Sequence, residues 1–323
     1  MRGVQGTLAD GSFETYRKAT RRDVFLSEMD RVVPWAELCA VIEPYYPKEP
    51  DGAGRRPVGL ARMLRIYFLQ HFYDLSDPAV EEALYDSAAM RRFVGIDLGR
   101  EPVPDETTVC KFRHLLEANC VGESLFAQVL GHLHRKGFKL SRGTIVDATI
   151  INAPSSTKNR DKARDPQMHQ TRKGQQWYFG MKGHIGVDSK TKLIHSVAAT
   201  AANVHDSQVL PDLLHGQETR VWGDSAYTGQ TDVIRQAAPQ AQDFTHDKGS
   251  RNRPLTDAQK ASNRTKSAVR AKGEHPFLVI KRIFKFTQVR YRGLLKNAHR
   301  LIVACALANL FMVRRRLLRR SWG

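Results

Sequence analysis

Apolar and polar positions alternate with a helical period through the first 140 residues. Glu28 to Ile42 follows that period. Leu60, Met63, Leu64, Tyr67 and Phe68 then fall at i, i+3, i+4, i+7 and i+8, one apolar stripe along a helix. Asp77-Pro78 starts another helix, because proline suits the first helical position. Asp105 to Thr108 supplies capping side chains ahead of Val109 to Leu116, and Leu125 to Leu133 extends the pattern. An all-α domain over 1–140 is predicted. Its basic residues (Arg55, Arg56, Arg62, Arg65, Arg91, Arg92, Lys111 and Arg113) suit either a helix-turn-helix-like DNA reader or an ordinary solvated face.

The period changes at Gly143. Thr144 to Ile151 is rich in β-branched residues and reads as a buried strand. Tyr178 to Asp188 alternates, with Phe179, Met181, Ile185 and Val187 on one face. A turn at Asp188 to Thr191 leads into a returning strand, Lys192 to Thr200. Asp206 to Leu214 reads as a helix and Thr219 to Gly223 as a short strand. Residues 238–266 are polar and read as an insertion. Ser267 to Phe286 is helical, with Pro276 either kinking it or opening a fresh turn. Leu301 to Val313 is an apolar helix of 13 residues, too short to span a bilayer, and a basic tail follows at 314–323. The fold class expected is α/β, a mixed sheet flanked by helices over 141–313, preceded by the all-α domain.

Charge changes this picture. The net charge is +18, and from Lys248 onward 20 Lys and Arg face only two acids, Asp257 and Glu274. The rest of the chain balances at 31 of each sign. A one-sided basic field favours a polyanion, nucleic acid above all. Four cysteines, at 39, 110, 120 and 305, form no CxxC pair, and no histidines lie at zinc spacing. Reduced, mostly buried thiols and no zinc site are expected. The N-terminus carries no apolar signal segment, so a cytoplasmic, nucleoid-associated protein without a membrane role is expected.

Three acids then stand out. Asp147 lies inside the β-branched strand, where a carboxylate is costly unless paired or bound to metal. Asp224 follows Gly223 at a strand end, and it also reads as a turn residue. Glu274 stands in the basic quarter, and it also reads as the ion-pair partner of Arg270. Together they suit a divalent-metal site for phosphodiester chemistry.

The segments Val146 to Thr149, Gly223 to Tyr227 and Arg270 to Lys281 resemble the DDE transposases of bacterial insertion sequences, in the insertion-sequence-five group. Gly183 to Asp188, Arg292 to Asn297 and Leu307 to Phe311 extend the resemblance over nearly the whole chain. It implies a ribonuclease-H-like catalytic domain with Asp147, Asp224 and Glu274 as catalytic, metal-binding residues. It implies two Mg²⁺ per site, with Mn²⁺ as substitute. It also implies cleavage of terminal inverted repeats and joining of 3′-OH ends to target DNA, by at least a homodimer when DNA is bound. Arg270, Glu274 and Lys281 match the family's Tyr–Arg–Glu–Lys pattern, but Ser267 stands at the tyrosine position. The DNA contacts expected are Arg270, Lys281, Arg282, Lys285, Arg290, Arg292, Lys296, Lys182, His184 and Tyr227. Trp177 and Tyr178 are either base-stacking or core residues. A nuclease that never joins strands, or a non-catalytic DNA-binding repressor, are the alternatives.

Overall fold

The computed structural model describes residues 18–48, 56–250 and 252–320. Arg55 and residues 321–323 of the basic tail lie outside them. The helical region comprises α1 (Arg21–Val32), α2 (Trp35–Ile42), α3 (Leu60–Tyr73), α4 (Asp77–Asp86), α5 (Ala88–Val94), α6 (Glu106–Ala118) and α7 (Val121–Arg135). Glu28 to Ile42 is therefore two helices, parted where Pro34 cannot donate a backbone hydrogen bond. The stripe on α3 is buried at Met63, Leu64, Tyr67 and Phe68. Ser76 caps α4 ahead of Pro78, and Asp105 Oδ1 accepts the Thr108 N–H at 2.7 Å to cap α6.

The sheet follows with β1 (Gly143–Asn152), β2 (His169–Lys173), β3 (Gln176–Asp188), β4 (Ile194–Ala201), β5 (Arg220–Trp222) and β6 (Gln242–Asp243). The long β3 runs antiparallel to β1 on one side. On its other side it pairs β2 with its first half and β4 with its second. β5 and β6 continue the sheet parallel to β1. This mixed sheet, flanked by helices, has the ribonuclease-H-like order. Asp206–Leu213 and Ser225–Tyr227 are 3-10 helices. The remaining helices are α8 (Thr231–Ala237), α9 (Asp257–Arg270), α10 (Glu274–Leu278) and α11 (Leu294–Arg320).

Two details differ from the sequence reading, and a third decides between the alternatives it left for Pro276. Residues 238–266 are no simple insertion: they supply the edge strand β6 and most of α9, whose start Thr256 and Gln259 fix by a reciprocal capping box. Pro276 opens a fresh turn, in the first turn of α10, where its missing N–H costs little. The basic tail is not separate, because α11 runs through to Arg320 and Arg314 Nε donates to Glu28 Oε2 at 2.8 Å. No helix among the described residues is long and apolar enough to cross a membrane. Of the four free thiols, only Cys305 is fully buried.

The helical region and the sheet share one core. Its buried residues run from Leu26, Phe68 and Val129 through Leu301, Cys305 and Leu310 of α11 to Ile145, Ile185 and Val187 of the sheet. Five of the eight basic residues named above in the helical region are engaged within it. Arg62 pairs with Glu101, Arg65 with Asp30, Arg92 with Asp23, and buried Arg113 with both Asp77 and Glu117. Arg91 donates to the Leu84 and Tyr85 carbonyls. Arg92 stays exposed despite its pair, as do Arg56 and Lys111.

Asn309, fully buried on α11, clasps the start of β4. Its Oδ1 accepts the Ile194 N–H at 2.8 Å and its Nδ2 donates to the Ile194 carbonyl at 2.7 Å. Asn309→Ala strands both backbone groups away from water. It should cost about 2–4 kcal/mol in chemical denaturation, with the secondary structure kept.

Candidate active site

Asp147 stands in the middle of β1 opposite Ile185. Its Oδ1 accepts the Ala148 N–H at 2.9 Å, and its Oδ2 lies 3.6 Å from Nη1 of Arg270. The other end of the same guanidinium, Nη2, lies 3.6 Å from Oε1 of Glu274. Arg270 thus bridges two of the three acids, and the ion-pair reading of Glu274 holds alongside the site reading. Asp224 follows β5, and its Oδ1 accepts the Ala226 N–H at 2.8 Å, so it is also the turn residue its sequence suggests. Gly273 lets this close. A Cβ there would stand 3.0 Å from Ile145 Cγ2, a contact tight enough to need a shift of a few tenths of an ångström.

The three carboxylates line one cleft of about 730 Å³. Asp206, Arg172, Lys173, Tyr178, Lys182, Arg270 and Lys281 also line it. Burial pushes the Asp147 carboxyl up to about 6, with Asp224 and Glu274 adding repulsion. The Arg270 charge and the Ala148 N–H oppose that rise without cancelling it. Converging hard oxygens with one guanidinium among them fit a divalent cation, whose charge would hold Asp147 ionised.

Of the expected DNA contacts, Arg270, Lys281 and Lys182 line the cleft. Lys281 Nζ donates to the Ile150 carbonyl at 2.6 Å, and burial, then Lys173, lower its pKa. Lys182 Nζ donates to the Val204 carbonyl and stands 2.8 Å from Asp206 Oδ1. Two residues are corrected. His184 is fully buried, bonded through Nε2 to Thr200 Oγ1 at 2.9 Å, and burial pushes its imidazole down to about 4. Tyr227 packs among Val146, Val209 and Leu210 at 1% exposure. Neither side chain reaches the surface, so both support the site from below. Arg282, Lys285, Arg292 and Lys296 are exposed but stand outside the cleft lining. Arg290 and buried Arg300 are held by Asp74.

Sequence reasoning missed Asp206, Arg172 and Lys173. The last two sit on β2, whose signal was the two-residue Gly174-Gln175 turn between polar strands. Next to that turn Trp177 is 64% exposed, with the Arg172 guanidinium 5.9 Å from its ring centre. At the family's tyrosine position, Ser267 Oγ lies 3.2 Å from His246 Nε2.

Asp147 binds its proton more tightly folded than unfolded, so its ionisation destabilises the metal-free fold as pH rises through about 6. Asp147→Asn should therefore raise the stability of metal-free protein at about pH 8, by on the order of 1–2 kcal/mol. Below about pH 4, where the carboxyl is neutral in the folded and the unfolded chain alike, the variant should gain nothing, and thermal denaturation at the two pH values checks the difference.

Two family models match the chain. One, described as a Transposase DDE domain, covers residues 139–310 and so takes in β1, the end of β5, α10 and most of α11. The other, described as Transposase domain (DUF772), covers residues 13–115 of the helical region. Because the first spans more than half of the 323 residues and carries all three acids, the chain belongs to the DDE transposase family.

Proposed function

We propose that this enzyme mobilises an insertion sequence of the insertion-sequence-five group. It would bind the terminal inverted repeats, cut the element ends and join the freed 3′-OH ends to target DNA. The observation that carries this reading is the single cleft shared by Asp147, Asp224 and Glu274, walled by Arg172, Lys173, Lys182, Arg270 and Lys281. An anionic backbone drawn along those cations meets three carboxylates at one point.

Asp147, Asp224 and Glu274 would hold the divalent ions, Mg²⁺ or its substitute Mn²⁺, two per site. Such ions would supply activation of the attacking oxygen and neutralisation of charge on the phosphate oxygens. The chain's own contribution is placement. Arg270 keeps Asp147 and Glu274 in register from between them, and the Ala148 and Ala226 N–H groups fix one oxygen each of Asp147 and Asp224. Water attacks the phosphorus at the element end and the 3′ oxygen leaves. That 3′-OH then attacks a target phosphorus and displaces the target's 3′ oxygen. Joining two ends at once calls for at least two copies of the chain on DNA, and such a protein would reside on the nucleoid.

The β2–β3 hairpin supports a direct role in gripping DNA, with Arg172 and Lys173 on backbone phosphates and Trp177 against a base. Arg282, Lys285, Arg292 and Lys296 would track the backbone further out.

A labelled fragment carrying an element end should be cut in Mg²⁺ and joined to a second duplex. Asp147→Ala, Asp224→Ala and Glu274→Ala should each reduce cutting to the level without enzyme while end binding persists. Full cutting by any of them would overturn the assignment, and cutting without joined product would favour a simple nuclease. The pair Arg172→Ala and Lys173→Ala should weaken end binding at all sequences alike and flatten the salt dependence by about two counterions in a titration of affinity against salt.

A further inference from the structure

Outside the cleft, a second set of donors converges. His195 on β4 and His215 and Glu218 ahead of β5 each offer a ligand atom, and these atoms lie within 4.8 Å of one another. None of the three lines the catalytic cleft. Glu218 is fully buried. Its Oε1 accepts the Thr144 hydroxyl at 3.0 Å and the His215 N–H at 2.7 Å, and His215 Nε2 stands 3.4 Å from it. Its Oε2 is buried with no hydrogen-bond partner. Among the described residues no lysine or arginine pairs with this carboxylate, whose one ion-pair contact is to His215.

The backbone is shaped to bring these donors together. At Gly186 a Cβ would stand 2.4 Å from the Leu213 carbonyl oxygen and 2.9 Å from His195 Cε1. Glycine there lets the segment leading to His215 lie against β3 beside His195. The Thr144 hydroxyl links His195 Nε2, at 3.1 Å, to Glu218 Oε1. The two imidazoles meet edge to face with centroids 5.1 Å apart.

We propose that His195, His215 and Glu218 bind a borderline divalent cation, zinc foremost, at a site separate from the catalytic acids. Two imidazoles and one carboxylate suit zinc, whereas the all-oxygen catalytic set suits magnesium. The ion gives the Glu218 carboxylate the positive partner that the polypeptide withholds. Coordination through His215 Nε2 places the ring proton on Nδ1 and gives up the 3.2 Å bond from the Gln217 N–H. The bound ion ties β4 to the turn that enters β5, and β5 leads through Gly223 to Asp224, so the ion braces one arm of the candidate active site. The sequence hides this set because His195 is separated from the other two by the end of β4 and a 3-10 helix.

The test is metal content of the full chain carrying Asp147→Ala and Asp224→Ala, so that the catalytic acids cannot hold the ion. After exposure to Zn²⁺ and dialysis against metal-free buffer, mass spectrometry should find about one zinc per chain. Added Zn²⁺ should also raise the melting temperature. His215→Ala removes an accessible ring, and Glu218→Gln keeps the side-chain shape. Each should weaken zinc affinity by more than about tenfold while far-ultraviolet circular dichroism stays unchanged. No zinc retained by the parent, or equal zinc in both variants, would overturn the proposal.

Discussion

Everything in this molecule depends on burying α11 on two sides at once. Its apolar run, Leu301 to Val313, meets α1 and α7 on one side and β4 on the other. A helix so placed must satisfy any polar group it carries. Asn309 does so by matching the exposed edge of a β4 peptide. Asn297 does so by holding the Arg290 and Tyr291 N–H groups and the Tyr291 and Gly293 carbonyls, which shapes the entry to the helix. His299 reaches the other way, accepting the Gly122 N–H at 3.0 Å and facing the Tyr67 hydroxyl. Polar side chains in the middle of an apolar helix thus become its register marks.

The cleft shared by the three acids is tuned in the opposite direction from the core. There the fold brings like charges together and leaves them only partly compensated. One guanidinium is shared by two acids, at distances too long for strong hydrogen bonds. Burial first, then the neighbouring acids, leave a carboxyl on β1 that gives up its proton only at about pH 6, well above the usual carboxylate range. Stability gained along α11 offsets that local cost.

How far this was readable depended on whether a signal was local. The α3 stripe and the β1 run are periodic over short windows, and both elements form where that periodicity places them. The three acids were legible because each breaks its own local pattern. β2 was missed because both of its faces meet solvent, so no alternation marks it. α9 was missed for a related reason: none of its residues is buried, and only Thr256 and Gln259 announce it. His184 and Tyr227 show a different limit. Their positions beside the motif acids were evident, but whether a side chain faces into a cleft or lies beneath it depends on the elements packed behind. The basic quarter behaved likewise, since charge counting could not separate Lys281 at the cleft from Arg300 locked onto Asp74.

The shared core has a consequence for how such a protein can change. With Arg314 fastened to Glu28 and Phe311 against Phe25, the first described helix and the last grip each other. The helical region is therefore not a cassette. Exchanging it for another would bare one flank of α11 to water, at about 25 cal/mol for each square ångström of apolar surface exposed. Change in this chain must then proceed by substitution on exposed faces, residue by residue, while the interior that joins the helical region to the sheet is inherited whole.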